Sequence, residues 1–206
     1  PAHVTFIAEL PSGGDVPSEA ELIGVGRVAL SVKPDREAEI ARASSLLEKL
    51  PTGGKLVERS EHTASGVTSG WLNNGVRVHI RFMDQRKNEA SIAITLAGGQ
   101  IQETAANRGI TDAAALAWNR AATSKLSSIQ IRDLMTGKKV RVSGGVDQDT
   151  LTLTVSGSPA DLEAGLQLAY LLLTDPIIEP AALEQWRDAE RQRIASRKLR
   201  PAGHRF

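Results

Sequence analysis

A chain of 206 residues, 41% of them apolar, is long enough to bury a core without staples. It has no cysteine, which excludes disulfides, thiolate metal sites and cysteine nucleophiles, and it leaves four histidines for imidazole chemistry. Lys+Arg 25 against Asp+Glu 24 gives a net charge of +1, and the aromatics, 3% of the residues, are scattered. Neither a phosphate-attracting field nor a base-stacking platform is present, so no nucleic-acid partner is expected.

Residues 1–66 are broken repeatedly by Pro11-Ser12-Gly13-Gly14, Pro17, Gly24, Gly26, Pro34, Pro51 and Gly53-Gly54, and they read as an inter-domain linker or extension. One short helix is expected within it over 36–50, where Asp35 can cap and Ala38, Ile40, Ala41, Leu46, Leu47 and Leu50 form an apolar face. Residues 4–7 and 28–30 have strand composition.

Residues 67–206 read as a better organised domain. Asn73-Asn74-Gly75 is a turn signal that opens an alternating strand over 76–82, and a second alternating strand follows over 90–97 and ends at Gly98-Gly99. The two are expected to pair antiparallel. An alanine-rich helix over 109–122 comes next, then one capped at Leu126-Ser127-Ser128 and closed by Gly137. Strands over 139–143 and 150–155 flank a turn-rich segment. Ser158-Pro159-Ala160-Asp161 starts a long helix that Asp175-Pro176 ends, and Glu179-Pro180 opens a last helix to about residue 197. The order β-β-α-α-β-β-α-α predicts an α+β fold, mainly antiparallel, with helices packed on one face. No stretch is apolar for the roughly 18 residues that a membrane span needs. The chain opens at Pro1 and stops at Phe206 just after a helical pattern, so it reads as a piece of a longer polypeptide.

Leu72-Asn73-Asn74-Gly75-Val76-Arg77-Val78 resembles the L-x-N-G-[LV]-x-V opening of domains in the pitrilysin (insulinase, mitochondrial-processing-peptidase) family of zinc metallopeptidases. Gly98-Gly99 followed by Glu103 is similar to that family's G-s-x-x-E turn. Residues 134–142, Gly157-Ser158-Pro159-Ala160-Asp161-Leu162-Glu163 and Asp175-Pro176 are similar to later landmarks, in order and spacing. The resemblance spans residues 66–197 and implies the processing-peptidase type of domain.

In such enzymes a G-x-x-H-x-x-E-H helix supplies two zinc-binding histidines and a glutamate base for the metal-bound water. Counted from Gly109, the histidine positions fall on Asp112 and Leu116 and the base on Ala115, all substituted. Glu190 is the last acidic residue, so the family's downstream glutamate ligand has no clear place either. The resemblance therefore implies no catalytic, metal or cofactor residue in this chain, with zinc held in the catalytic half of a parent protein. The segment around residues 66–89 looks most like the opening of the second, non-catalytic half of long bacterial members. Its implied role is to form part of the wall of a peptide-binding chamber, partnered by other domains of the same polypeptide and by the peptide substrate. The same resemblance implies the periplasm or cell envelope. The alternative is a scaffold or binding module with this fold and no peptidase activity.

Other polar residues have plainer readings. His62 beside Glu61 reads as a solvated pair, and His79 as an exposed residue on the polar side of a strand. His3 and His204 lie near the ends without visible partners. Asp112 reads as a helix-surface or capping carboxylate, and Ser156-Gly157-Ser158 lacks the spacing of a serine elbow. The basic run Arg187, Arg191, Arg193, Arg197, Lys198 and Arg200 is interleaved with Asp188 and Glu190 and reads as a solvated helix face.

Overall fold

The computed structural model describes residues 5, 7, 17–32 and 43–199. Its contacts divide the chain into two units, Pro1–Arg42 and Ala43–Phe206. In the first unit the described structure is helix α1 (Glu19–Ser31). Ser18 and Glu21 begin it through a reciprocal capping box: the Ser18 hydroxyl oxygen accepts the Glu21 N–H at 3.4 Å, and the Glu21 carboxylate accepts the Ser18 N–H at 2.7 Å. The strand expected at 28–30 is instead the last part of this helix. Once started, the helix tolerates Gly24 and Gly26 at a modest cost each. Of residues 4–7, Thr5 and Ile7 are described and neither is in a strand.

The helix expected over 36–50 is also corrected where it can be seen. Residues 36–42 lie outside the described residues, and 43–50 are not helical. Leu46 is buried in the core of the second unit, while Leu47, Leu50 and Pro51 line a groove with Leu166 and Tyr170. A short amphipathic stretch has little helical stability of its own, and Pro51 disfavours helix at Leu50, so docking one leucine into a shared core decides its conformation.

The second unit contains two three-stranded antiparallel sheets. The first, in the order β1-β2-β3, is built from β1 (Leu56–His62), β2 (Val67–Leu72) and β3 (Arg77–Arg81). β1 falls inside the span read as linker and pairs with β2 from Leu56↔Leu72 to His62↔Val67. The Asn73-Asn74-Gly75 turn behaves as its letters suggest: Gly75 has φ +84°, and the Asn74 side chain accepts the Val76 N–H at 3.2 Å.

The second sheet, β4-β6-β5, is built from β4 (Ala90–Ala97), β5 (Val140–Val146) and β6 (Thr150–Gly157). The expected pairing of β3 with β4 is therefore wrong. The turn folds β3 back on the segment just before it, and β4 pairs with β6 instead. There Ile92 and Ile94 stand beside Val155 and Leu153, so β4 gains a buried face that β3 cannot offer.

Three cross-strand rows face the core: Ala90-Gly157-Val140, Ile92-Val155-Val142 and Ile94-Leu153-Gly144. Helix α5 (Leu162–Thr174) lies against that face, and Ile131 of α4 (Ser128–Met135) joins Leu168, Ala169 and Leu172 in one buried cluster with Leu153 and Val155. Gly165 lets α5 approach closely, because a Cβ there would stand 2.6 Å from both Val140 and Val155 methyl carbons. The architecture is thus α+β, antiparallel, with the helices on one face of this sheet.

The capping expectations hold for α4, where Ser127 and Gln130 form a second capping box. Ser158 is different. It precedes a 3-10 turn, Pro159–Asp161, before α5 begins, and its side chain makes no capping bond. The last helix, α6, runs Pro180–Leu199.

Candidate functional site

The positions that the family motif would fill lie just after β4. Gly98 and Gly99 turn the chain there at φ +152° and +97°, and a Cβ on Gly99 would stand 2.4 Å from the Asp147 carbonyl oxygen. The chain is thereby pinned to the β5–β6 turn: the Gly98 N–H donates to Asp149 O at 3.0 Å and the Ile101 N–H to Gln148 O at 2.7 Å.

Glu103 follows this turn. Its carboxylate accepts the N–H of Gly109 at 2.9 Å, the N–H of Thr111 at 3.1 Å and the Thr111 hydroxyl. Gly109 adopts φ +84°, a conformation that costs a glycine little. The carboxylate therefore caps α2 (Ile110–Ala114) from several residues upstream. The Gly109 N–H above all, then the Thr111 hydroxyl and N–H, hold the Glu103 carboxyl below its ordinary pKa.

The single helix expected over 109–122 is two short ones, α2 and α3 (Leu116–Asn119), joined at Ala115. Asp112 is exposed in the first turn of α2, and Ala115 and Leu116 are half-buried. The methyl of Ala115 and the isobutyl group of Leu116 have no donor atom. Downstream, the anchors are Trp118 and Asn119. The Trp118 indole N–H donates to the Leu172 carbonyl at 3.0 Å, and the ring fills the space above Gly144, where a Cβ would come within 2.3 Å of it. The Asn119 amide exchanges two hydrogen bonds with the Gly144 backbone, each 3.0 Å, as a neighbouring strand would.

The described histidines are far from forming a cluster in sequence or sheet. His62 Nδ1 lies 2.7 Å from Ser65 Oγ at the β1–β2 turn, and His79 Nδ1 lies 2.8 Å from Ser69 Oγ on the other hairpin. His3 and His204 lie outside the described residues. Among the described residues no group of three or more His, Asp or Glu side chains could hold a metal ion. The Ser-carboxylate pairs that do form are structural staples: Asp175 accepts the Ser124 N–H and hydroxyl, and Glu179 accepts those of Ser128 at the start of α4. None of these, nor the Glu103 cap, was legible as a pair in the sequence, because the partners of Ser124 and Ser128 stand 51 residues away. On α6, Arg187, Arg191 and Arg193 pair with Glu184, Asp188 and Glu190, in keeping with a solvated face.

The face of β4-β6-β5 away from the core carries small side chains, among them Ala93, Thr154 and Ser143 in one row and Thr95 and Thr152 in the next. It is a surface of methyl and hydroxyl groups, with the exposed Arg141 in the neighbouring row Ser91-Ser156-Arg141, and its hydroxyls can take part in hydrogen bonds.

No family model matches this sequence. No curated protein matches it either. Solved structures do. The periplasmic protease PqqL of Escherichia coli superposes with a TM-score of 0.68 at 21% identity, over 90% of this chain and 20% of that one. The ferredoxin protease FusC, solved as a variant in complex with Arabidopsis ferredoxin, superposes with a TM-score of 0.65 at 20% identity, over 88% of this chain and 20% of its own. The chain thus spans about a fifth of the length of these proteases. Among the described residues no helix is long and apolar enough to cross a membrane. What the superposition establishes is the fold, and this chain has the fold of one domain of these proteases, the architecture that the pitrilysin-family resemblance implies.

Proposed function

We propose that the chain is a non-catalytic domain of a zinc metalloprotease and forms part of the wall of the peptide-binding chamber of the full-length enzyme. The observation that carries this reading is the superposition on PqqL, which takes in nearly all of this chain and a fifth of that protease. The residues at the motif positions, Asp112, Ala115 and Leu116, fit a supporting role, since two of the three have no atom that binds zinc or moves a proton. Zinc then belongs to the catalytic half of the parent protein. The small, hydroxyl-bearing outer face of β4-β6-β5 is the surface we assign to the chamber wall, because its serine and threonine hydroxyls can donate to or accept from an extended peptide without demanding a particular side chain. The periplasmic setting of PqqL supports a cell-envelope location for the parent.

The test is metal analysis and fluorogenic-peptide hydrolysis on one purified sample of the chain after exposure to zinc and dialysis. The expected result is no bound zinc and no turnover. Stoichiometric zinc with hydrolysis would overturn the reading. A G-x-x-H-x-x-E-H motif elsewhere in the full reading frame is expected; its absence would favour a scaffold of the same fold.

A further inference from the structure

Strand β3 forms one edge of the β1-β2-β3 sheet, and no described strand pairs with its outer side. The Leu72 N–H donates to the Val76 carbonyl at 2.8 Å and sets the hairpin register. Hydrogen-bonded and outward-facing positions alternate along an antiparallel strand. The backbone groups of Val78 and Ile80 therefore face β2, and those of Arg77, His79 and Arg81 face open solvent.

The side chains of the same strand separate by chemistry. Arg77, His79 and Arg81 lie on one face, and Val78 and Ile80 on the other. Arg77 is held in place by Trp71, its cross-strand partner, with the guanidinium 5.5 Å from the ring centroid. Glu58 belongs to the same cross-strand row but stands on β1, beyond Trp71. Neither Arg77 nor Arg81 enters an ion pair among the described residues. On the other face Ile80 is 62% exposed, and the chain runs on into Phe82, 88% exposed.

An open edge with a cationic row on one face and an apolar row on the other specifies its occupant. Two copies joined through β3 would set this basic row against itself, and like charges directly opposite are destabilising. We propose that β3 is a docking edge for an extended acidic peptide segment of a partner protein, added as a fourth strand. The carboxylates of the segment alternate with apolar residues, facing Arg77 and Arg81 on one side and Val78 and Ile80 on the other. The proposal is independent of the protease reading, since a scaffold with this fold would present the same edge.

The probe is a labelled synthetic peptide of alternating glutamate and valine, compared by fluorescence anisotropy at low ionic strength with its lysine-valine counterpart. The glutamate peptide is expected to bind and the lysine peptide not. Arg81→Gln should weaken binding about 2- to 5-fold, the effect of one cross-strand ion pair. Arg77→Glu combined with Arg81→Glu should reverse the preference, a gain that a misfolded variant cannot produce. Hydrogen exchange should show new protection at the amides of Arg77, His79 and Arg81. Failure of the glutamate peptide to bind, equal binding to the double variant, or binding without protection at those three amides would each overturn the proposal.

Discussion

The two sheets of the second unit have the same number of strands and the same antiparallel pairing, yet they differ in what covers them. In β4-β6-β5 one face lies under α5, with Ile131 of α4 in the same cluster, and Leu153 and Val155 on the central strand are fully buried. In β1-β2-β3 every residue of the first strand is exposed, and Ile80 on the third is mostly so. Alternating sequence therefore produces strands in both places but a core in only one. A strand face is stabilised when another element removes it from water, at roughly 25 cal/mol per Å² of apolar surface. Without such a cover the sheet keeps its hydrogen bonds and leaves its edge and faces for a partner.

This contrast can be broken most severely in the covered sheet. Leu153→Ala leaves a cavity between β6 and the helices and should lower unfolding stability by about 2–5 kcal/mol in a denaturant titration. A loss under about 1 kcal/mol would mean that Leu153 is not a closed core position. Next comes Gly144→Val, which drives a branched side chain into the Trp118 ring. Overpacking of this kind costs about 1–3 kcal/mol, and a change in the near-ultraviolet circular dichroism should show that the indole has moved.

A smaller effect is expected at Glu103. A carboxyl whose folded pKa is depressed contributes stability that is complete above its ordinary pKa and is lost as pH falls through the folded value. Glu103→Gln should therefore lower stability at neutral pH and make it fall less between neutral pH and pH 3 than in the parent chain. Unchanged acid sensitivity would remove the cap from the account. The smallest effect belongs to the open sheet, where Ile80→Ser should change stability by no more than about 0.5 kcal/mol. A core-sized loss there would show that the face is covered after all.

Much of the local structure is written in short stretches of sequence. Asn73-Asn74-Gly75 makes its turn, the β5–β6 hairpin lies where alternation puts it, and Ser127 caps α4 with Gln130. The same logic was available at Ser18-Glu19-Ala20-Glu21, a capping box whose signal was masked by Gly24 and Gly26. What was not legible is pairing over distance. The partner of β4 is β6, some sixty residues on, and local alternation says nothing about which of two available strands offers the better buried face.

The candidate site divides in the same way. That Asp112, Ala115 and Leu116 occupy the positions of a zinc-binding motif is a matter of counting residues from Gly109. That Glu103 reaches over to cap α2, that Trp118 rests on Gly144, and that Asp175 and Glu179 bind serines 51 residues away all depend on the folded chain.

By itself the sequence determined periodicity, turns and caps, because these arise from interactions within a few residues and from side-chain types that permit or forbid particular dihedrals. Only the tertiary structure decided which strand pairs with which, where Leu46 is buried, and which sheet receives the helices. Those outcomes rest on apolar surface shared between distant segments, a quantity that no single segment carries alone.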